Sequence, residues 1–251
     1  MFNLKIILVA TVGSAGVALG TVNAANAVTF VSPNDLANTE GDIAASISNN
    51  TTSSGRFQQV FAASQFVPGS QYITKIAFRP DGSTGTPFTE TFPSINISFS
   101  TTTASPTNLS STVDQNVGGD KQVVVSGPLS LSSSNVGAVG QPKNFDVLIN
   151  LNTPFLYNSA LGNLLYDVTF SAPTGVIGSD FVDTTSSSPF VSSVSSAFTG
   201  STVNGTAVPG VGVVTQFTTT PVPEPSSTLG LLAFATLGAG SLLTRKLQKS
   251  K

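Results

Sequence analysis

Apolar and polar side chains alternate with period two along several stretches of this chain. Ile95, Ile97 and Phe99 alternate with Asn96, Ser98 and Ser100. Phe145, Val147, Ile149 and Leu151 alternate with Asp146 and Asn150, with Leu148 out of step. Leu164, Tyr166, Val168 and Phe170 alternate with Asp167 and Thr169, and Val211, Val213, Thr215 and Phe217 repeat the pattern late in the chain. Thr74, Ile76 and Phe78, the apolar run at 123–125, and Phe190, Val194 and Phe198 are shorter instances. This period marks strands with one apolar and one polar face. Turn formers separate the runs: Arg79-Pro80-Asp81-Gly82, Gly118-Gly119-Asp120 and Ala172-Pro173-Thr174-Gly175. No long segment between 28 and 205 carries helical periodicity. The expected fold is all-β, an antiparallel β-sandwich of jelly-roll type over residues 28–205. Residues 206–221 read as a last strand or a Pro/Thr-rich tether, and 218–223 in particular as an extended tether.

Both ends depart from this pattern. Lys5 precedes an apolar run at 6–19, and Ala25-Asn26-Ala27 follows with the small-x-small spacing that a signal peptidase reads. Residues 1–27 are expected to be a signal peptide cut at Ala25 and Ala27's motif, leaving Val28 first; Val22-Asn23-Ala24 is a weaker version of the same motif. At the other end, Val222-Pro223-Glu224-Pro225 precedes Ser226 and Ser227, which could cap a helix. Residues 229–243 are apolar on every side, as suits lipid. A helix over the sixteen residues 228–243 would be about 24 Å long, a short span. Arg245, Lys246, Lys249 and Lys251 close the chain and are expected to stay cytoplasmic. That orientation places the body across the membrane.

Composition narrows the chemistry. The chain has 251 residues and no Cys, His or Trp. Without histidine there is no Ser-His-Asp or Cys-His catalysis and no His-ligated zinc. Without cysteine there is no disulfide. Residues 28–220 hold five basic and eleven acidic side chains, a balance of −6. An acidic surface without clustered Lys and Arg argues against nucleic acid. A mechanism built on carboxylates alone survives composition.

Three weaker candidates remain. Asp35, Glu40, Asp42, Asp81, Asp180 and Asp183 are the oxygen donors that calcium would use. None has EF-hand spacing, so solvated loop carboxylates are the favoured reading, and the body is expected to fold without metal or cofactor. Tyr72, Tyr157 and Tyr166 are the aromatics a sugar site would use, with Tyr166 on an apolar face and so assigned to the core. Asn50, Asn96, Asn108 and Asn204 open Asn-x-Ser/Thr triplets, which chance supplies in a Ser/Thr-rich chain. The Ser/Thr loop 184–188 is a further place a glycan could sit.

The order Pro223-Glu224-Pro225, short apolar helix, basic end closely resembles the PEP-CTERM sorting signal over residues 222–251. The resemblance implies that Pro223, Glu224 and Pro225 are read by exosortase, a membrane transpeptidase-like enzyme, in a Gram-negative or cyanobacterial cell that makes exopolysaccharide or biofilm. The body resembles a domain found upstream of such tails, through Arg56-Phe57-Gln58-Gln59-Val60-Phe61, Ile73-Thr74-Lys75-Ile76-Ala77-Phe78-Arg79 and Gly162-Asn163-Leu164-Leu165-Tyr166-Asp167-Val168. That domain carries no established activity. The expected function is a non-enzymatic surface or extracellular-matrix protein, held briefly in the inner membrane and then released. Two alternatives stand beside it: a carbohydrate-binding module for exopolysaccharide, and a carboxylate-dependent glycosidase or lyase.

Overall fold

A computed structural model of the protein describes residues 26–47, 54–197 and 204–222. Strands β1 (Val28–Ser32), β2 (Ile43–Ser46), β3 (Gly55–Phe61), β4 (Ser70–Phe78) and β5 (Phe88–Thr102) come first. They are followed by β6 (Gln122–Ser133), β7 (Val147–Asn158), β8 (Asn163–Phe170), β9 (Thr174–Ile177) and β10 (Phe181–Thr185). The last are β11 (Val191–Ala197), β12 (Thr206–Pro209), β13 (Gly212–Val213) and β14 (Thr215–Pro221). Among the described residues the only helical pieces are short 3-10 turns, and none is long and apolar enough to cross a membrane.

Every pairing is antiparallel, as the alternation requires. One sheet has the order β1-β14-β4-β7. A larger one runs β12-β11-β3-β8-β5-β6, with β9 paired to β5. A small third sheet has the order β13-β10-β2. The two larger sheets share one apolar core. Ile76, Ile149 and Phe217 enter it from the first, and Phe61, Ile97, Phe99 and Leu164 from the second. Edge-to-face ring pairs fasten it, including Phe61 on Phe217 at 5.0 Å and Phe66 on Tyr157 at 4.8 Å between centroids.

Two departures from strict alternation have local causes. The register between β4 and β7 shifts between Ile73 and Lys75, so Ile73 and Ile76 both face the core. In β5 the shift falls between Phe92 and Ile95, at Pro93-Ser94, and brings Phe92 and Ile95 to the same face. The strand legible as 95–99 therefore extends much further, to Phe88–Thr102. The doublets Val60-Phe61 and Leu164-Leu165 bury both faces of the larger sheet. Val60 and Leu165 pack outward, beneath Leu109 and Val113 of the connection between β5 and β6.

The tether reading of 218–221 does not hold. β14 lies between β1 and β4 and pairs with both, with Thr215, Phe217 and Thr219 buried. The extended backbone imposed before Pro221 suits a strand as well as a tether, and β-branched threonines favour the strand. Residues 206–221 contribute β12, β13 and β14, so the boundary expected at 205 falls inside the sheets.

Candidate functional site

Three of the six calcium candidates converge. One carboxylate oxygen each from Glu40, Asp81 and Asp183 lies within 4.8 Å of the others. Asp183 is carried by β10, Asp81 by the turn after β4, and Glu40 by the approach to β2. Arg79 holds the group together and is 1% exposed. Its Nε donates to Asp183 Oδ2 at 2.7 Å, and its Nη2 donates to the carbonyls of Leu36 at 2.9 Å and Thr39 at 2.5 Å. The Phe145 ring lies 5.0 Å from the guanidinium carbon. Asp81 Oδ1 accepts from the Ser83 and Thr84 N–H groups at 3.0 and 2.6 Å, which shapes the turn. Glu40 accepts the Gly82 N–H through Oε1, while its Oε2 is buried without a hydrogen-bond partner among the described residues. The approach is close enough to require glycine at 41: its N–H donates to Asp183 Oδ1 at 2.8 Å, and a Cβ would stand 2.3 Å from the Thr184 carbonyl oxygen.

Burial pushes the Glu40 carboxyl above its ordinary value, with Asp183 adding to the effect and the Gly82 N–H opposing it. Burial likewise raises Asp183, and Arg79 offsets only part of the shift. Chemically, the trio can hold a cation or a proton among its oxygens, and Arg79 already supplies one positive charge there. The solvated-loop reading fails for Asp81, Asp180 and Asp183, all buried. Both oxygens of Asp180 accept from Ser46 Oγ at 2.8 Å. Asp35 and Asp42 are exposed, and Asp42 accepts the Ser186 N–H just after β10; Thr184 and Thr185, expected in a loop, are buried residues of that strand.

A second charge cluster lies on the outer face of the larger sheet. Arg56 grips Asp167 with two bonds, Nε to Oδ1 at 2.8 Å and Nη2 to Oδ2 at 2.9 Å. Its Nη1 reaches Asp114 at 2.6 Å, and Lys121 Nζ adds a bond to Asp167 at 2.9 Å. Burial alone would raise Asp167, but the bonds from Arg56 and Lys121 outweigh it and hold the carboxyl below its ordinary value. Both arginines stand in stretches quoted from the sequence, but neither motif nor spacing assigns them a carboxylate partner. Each strand shows one charge on its polar parity. Only the register, which pairs Gln58 with Asp167 and Arg56 with Thr169, brings the charges diagonally together.

Between the sheets lies a cavity of about 90 Å³, walled by Phe78, Phe99, Ile149, Tyr166, Phe170 and Val182 among others. At roughly 24 cal/mol per Å³, an empty volume of this size costs about 2 kcal/mol. Of the three tyrosines, Tyr157 and Tyr166 are buried in the core and Tyr72 is half-buried. Burial pushes both core hydroxyls to higher pKa. Asn108 and Asn204 are exposed, Asn96 accepts from Ser126 Oγ, and Asn50 lies outside the described residues. Ala27 stands immediately before β1. Ala25, Pro223, Glu224, Pro225, the 228–243 stretch and Arg245, Lys246, Lys249 and Lys251 lie outside the described residues. No protein-family model matches this chain, and no curated protein matches it.

Proposed function

We propose that this chain is an exported, non-enzymatic surface or matrix protein, delivered by its N-terminal segment and sorted through the PEP-CTERM-like tail. The observation that carries the reading is where the body's two ends fall. β1 begins at Val28, next after Ala27, and β14 ends at Pro221, two residues before Pro223. Val28 pairs with Thr219, so the two ends leave side by side from one end of one sheet. Both flanking segments can then be cut without removing any of β1 to β14. The first and last strands lying together also supports a jelly-roll-like β-sandwich, a chain folded back on itself from its middle.

The hydrolase alternative draws nothing from the acidic trio. Its oxygens lie within 4.8 Å of one another, whereas glycosidase carboxyl groups flank a substrate about 5–9.5 Å apart. The carbohydrate-binding alternative rests on Tyr72, half-buried on the outward side of β4 opposite Leu156, itself 48% exposed.

The test replaces Pro223, Glu224 and Pro225 with alanine. Export uses the N-terminal segment and is expected to continue. The 229–243 stretch still enters lipid, because burial of an apolar helix does not need the triplet. The variant is expected to accumulate in the membrane, longer than the mature wild type by about thirty residues on the span of the tail. An antibody to the body, used on membrane and medium fractions, reads the result. Wild type and variant of one size in one fraction would make the tail a plain anchor.

A further inference from the structure

We infer that the cavity between the sheets is a binding site for one small apolar group, of the size of a single aromatic ring or a short alkyl chain. Its volume, about 90 Å³, exceeds the packing gaps ordinary in a core. Atoms lining an empty space lose the dispersion contacts that a neighbour would supply, and an occupant restores them.

The wall decides the class of ligand. Aromatic and aliphatic side chains make up most of it. Besides the Tyr166 phenol, its polar side chains are Gln59, Thr215 and Ser46, and these three are engaged elsewhere. Gln59 donates through Nε2 to the Val213 carbonyl at 2.9 Å and accepts the Val213 N–H through Oε1 at 2.8 Å. Thr215 Oγ1 donates to the Val213 carbonyl at 2.9 Å, and Ser46 Oγ donates to Asp180. A ligand with a polar atom aimed at these groups would lose its water without gaining a partner. A hydrocarbon loses nothing.

The way in lies on the side of the small sheet. Ala45, Ser46, Ile47, Phe57 and Val213 are the half-buried members of an otherwise buried lining. β13 is two residues long and β2 four, so this wall is held by few ladder bonds. Short elements of this kind open locally at low free energy.

The experiment titrates the full-length chain, carrying ring-labelled phenylalanine, with benzene and follows the ring resonances. Saturable shifts are expected at Phe57, Phe78, Phe99 and Phe170, which line the cavity, and none at Phe145 and Phe190, which do not. Val168→Leu and Val182→Leu each fill part of the space and are expected to weaken binding at least tenfold. Three results would overturn the proposal: no saturable shift up to the solubility of benzene, equal shifts at Phe145 and Phe190, or undiminished affinity in a filled variant that folds. If neither variant folds, the wild-type titration decides alone.

Discussion

Two arginine–aspartate pairs are buried in this body. Arg56–Asp167 lies on the outer face of the larger sheet, and Arg79–Asp183 lies where β4 and the turn after it meet β10. Both arginines are at most 8% exposed, and both aspartates at most 3%. Yet the two aspartates shift in opposite directions, Asp167 down and Asp183 up. The difference lies in the neighbours. Asp167 has two cations, Arg56 and Lys121, and shares the first with a mostly exposed Asp114. Asp183 has one cation and two further carboxyls, Glu40 and Asp81, pressed against it. Burial penalises every charge, and only local charge balance decides whether the penalty is overcome. An identical pair can therefore favour the ionised form in one place and resist it in another.

The largest separation of the two clusters is expected on removing the cation. Arg79→Met leaves Asp183 buried beside two more carboxyls and strips hydrogen bonds from the Leu36 and Thr39 carbonyls. A loss of about 3–5 kcal/mol is expected, read from urea unfolding at pH 7. Arg56→Met is expected to lose less, about 1–3 kcal/mol, because Lys121 still reaches Asp167 and Asp114 stays in solvent at 77% exposure. Equal losses would show that charge balance does not govern these sites.

The smallest effect sharpens the comparison through pH. Glu40 is raised in the fold, so its ionised form is disfavoured. The stability linked to its protonated form is complete below the unfolded value of 4.5 and is lost as pH rises through the higher folded value. Glu40→Gln keeps an acceptor for Gly82 without the charge. It is expected to gain less than about 1 kcal/mol at pH 7, with the gain vanishing as pH falls through 4.5. Asp167→Asn is expected to behave oppositely. The wild-type advantage is full above the unfolded value of 3.8 and disappears only as pH falls through the lower folded value. Urea midpoints for both variants at pH 7, 5.5, 4 and 3 check the two signs together.

The period-two runs determined the fold class. Ile95, Ile97 and Phe99, and likewise Tyr166 and Val168, face the core as their alternation requires, because one polar and one apolar face leave a strand a single way to lie. Absent histidine and cysteine determined which chemistries the chain lacks. The order of tail features on which the sorting proposal rests is likewise written in residues 222–251 alone. Tertiary structure alone decided the rest. Bulges at Ile73/Lys75 and at Pro93-Ser94 change parity within a strand, which a constant period does not reveal. Thr218 to Pro221 is composed like a tether, and the flanking strands β1 and β4 make it a central strand. Glu40, Asp81 and Asp183 stand far apart along the chain, and only the pairing of β10 with β2 and the turn after β4 brings them together. The cavity too belongs to three sheets at once, since an unfilled volume is a property of how faces meet and of no single strand.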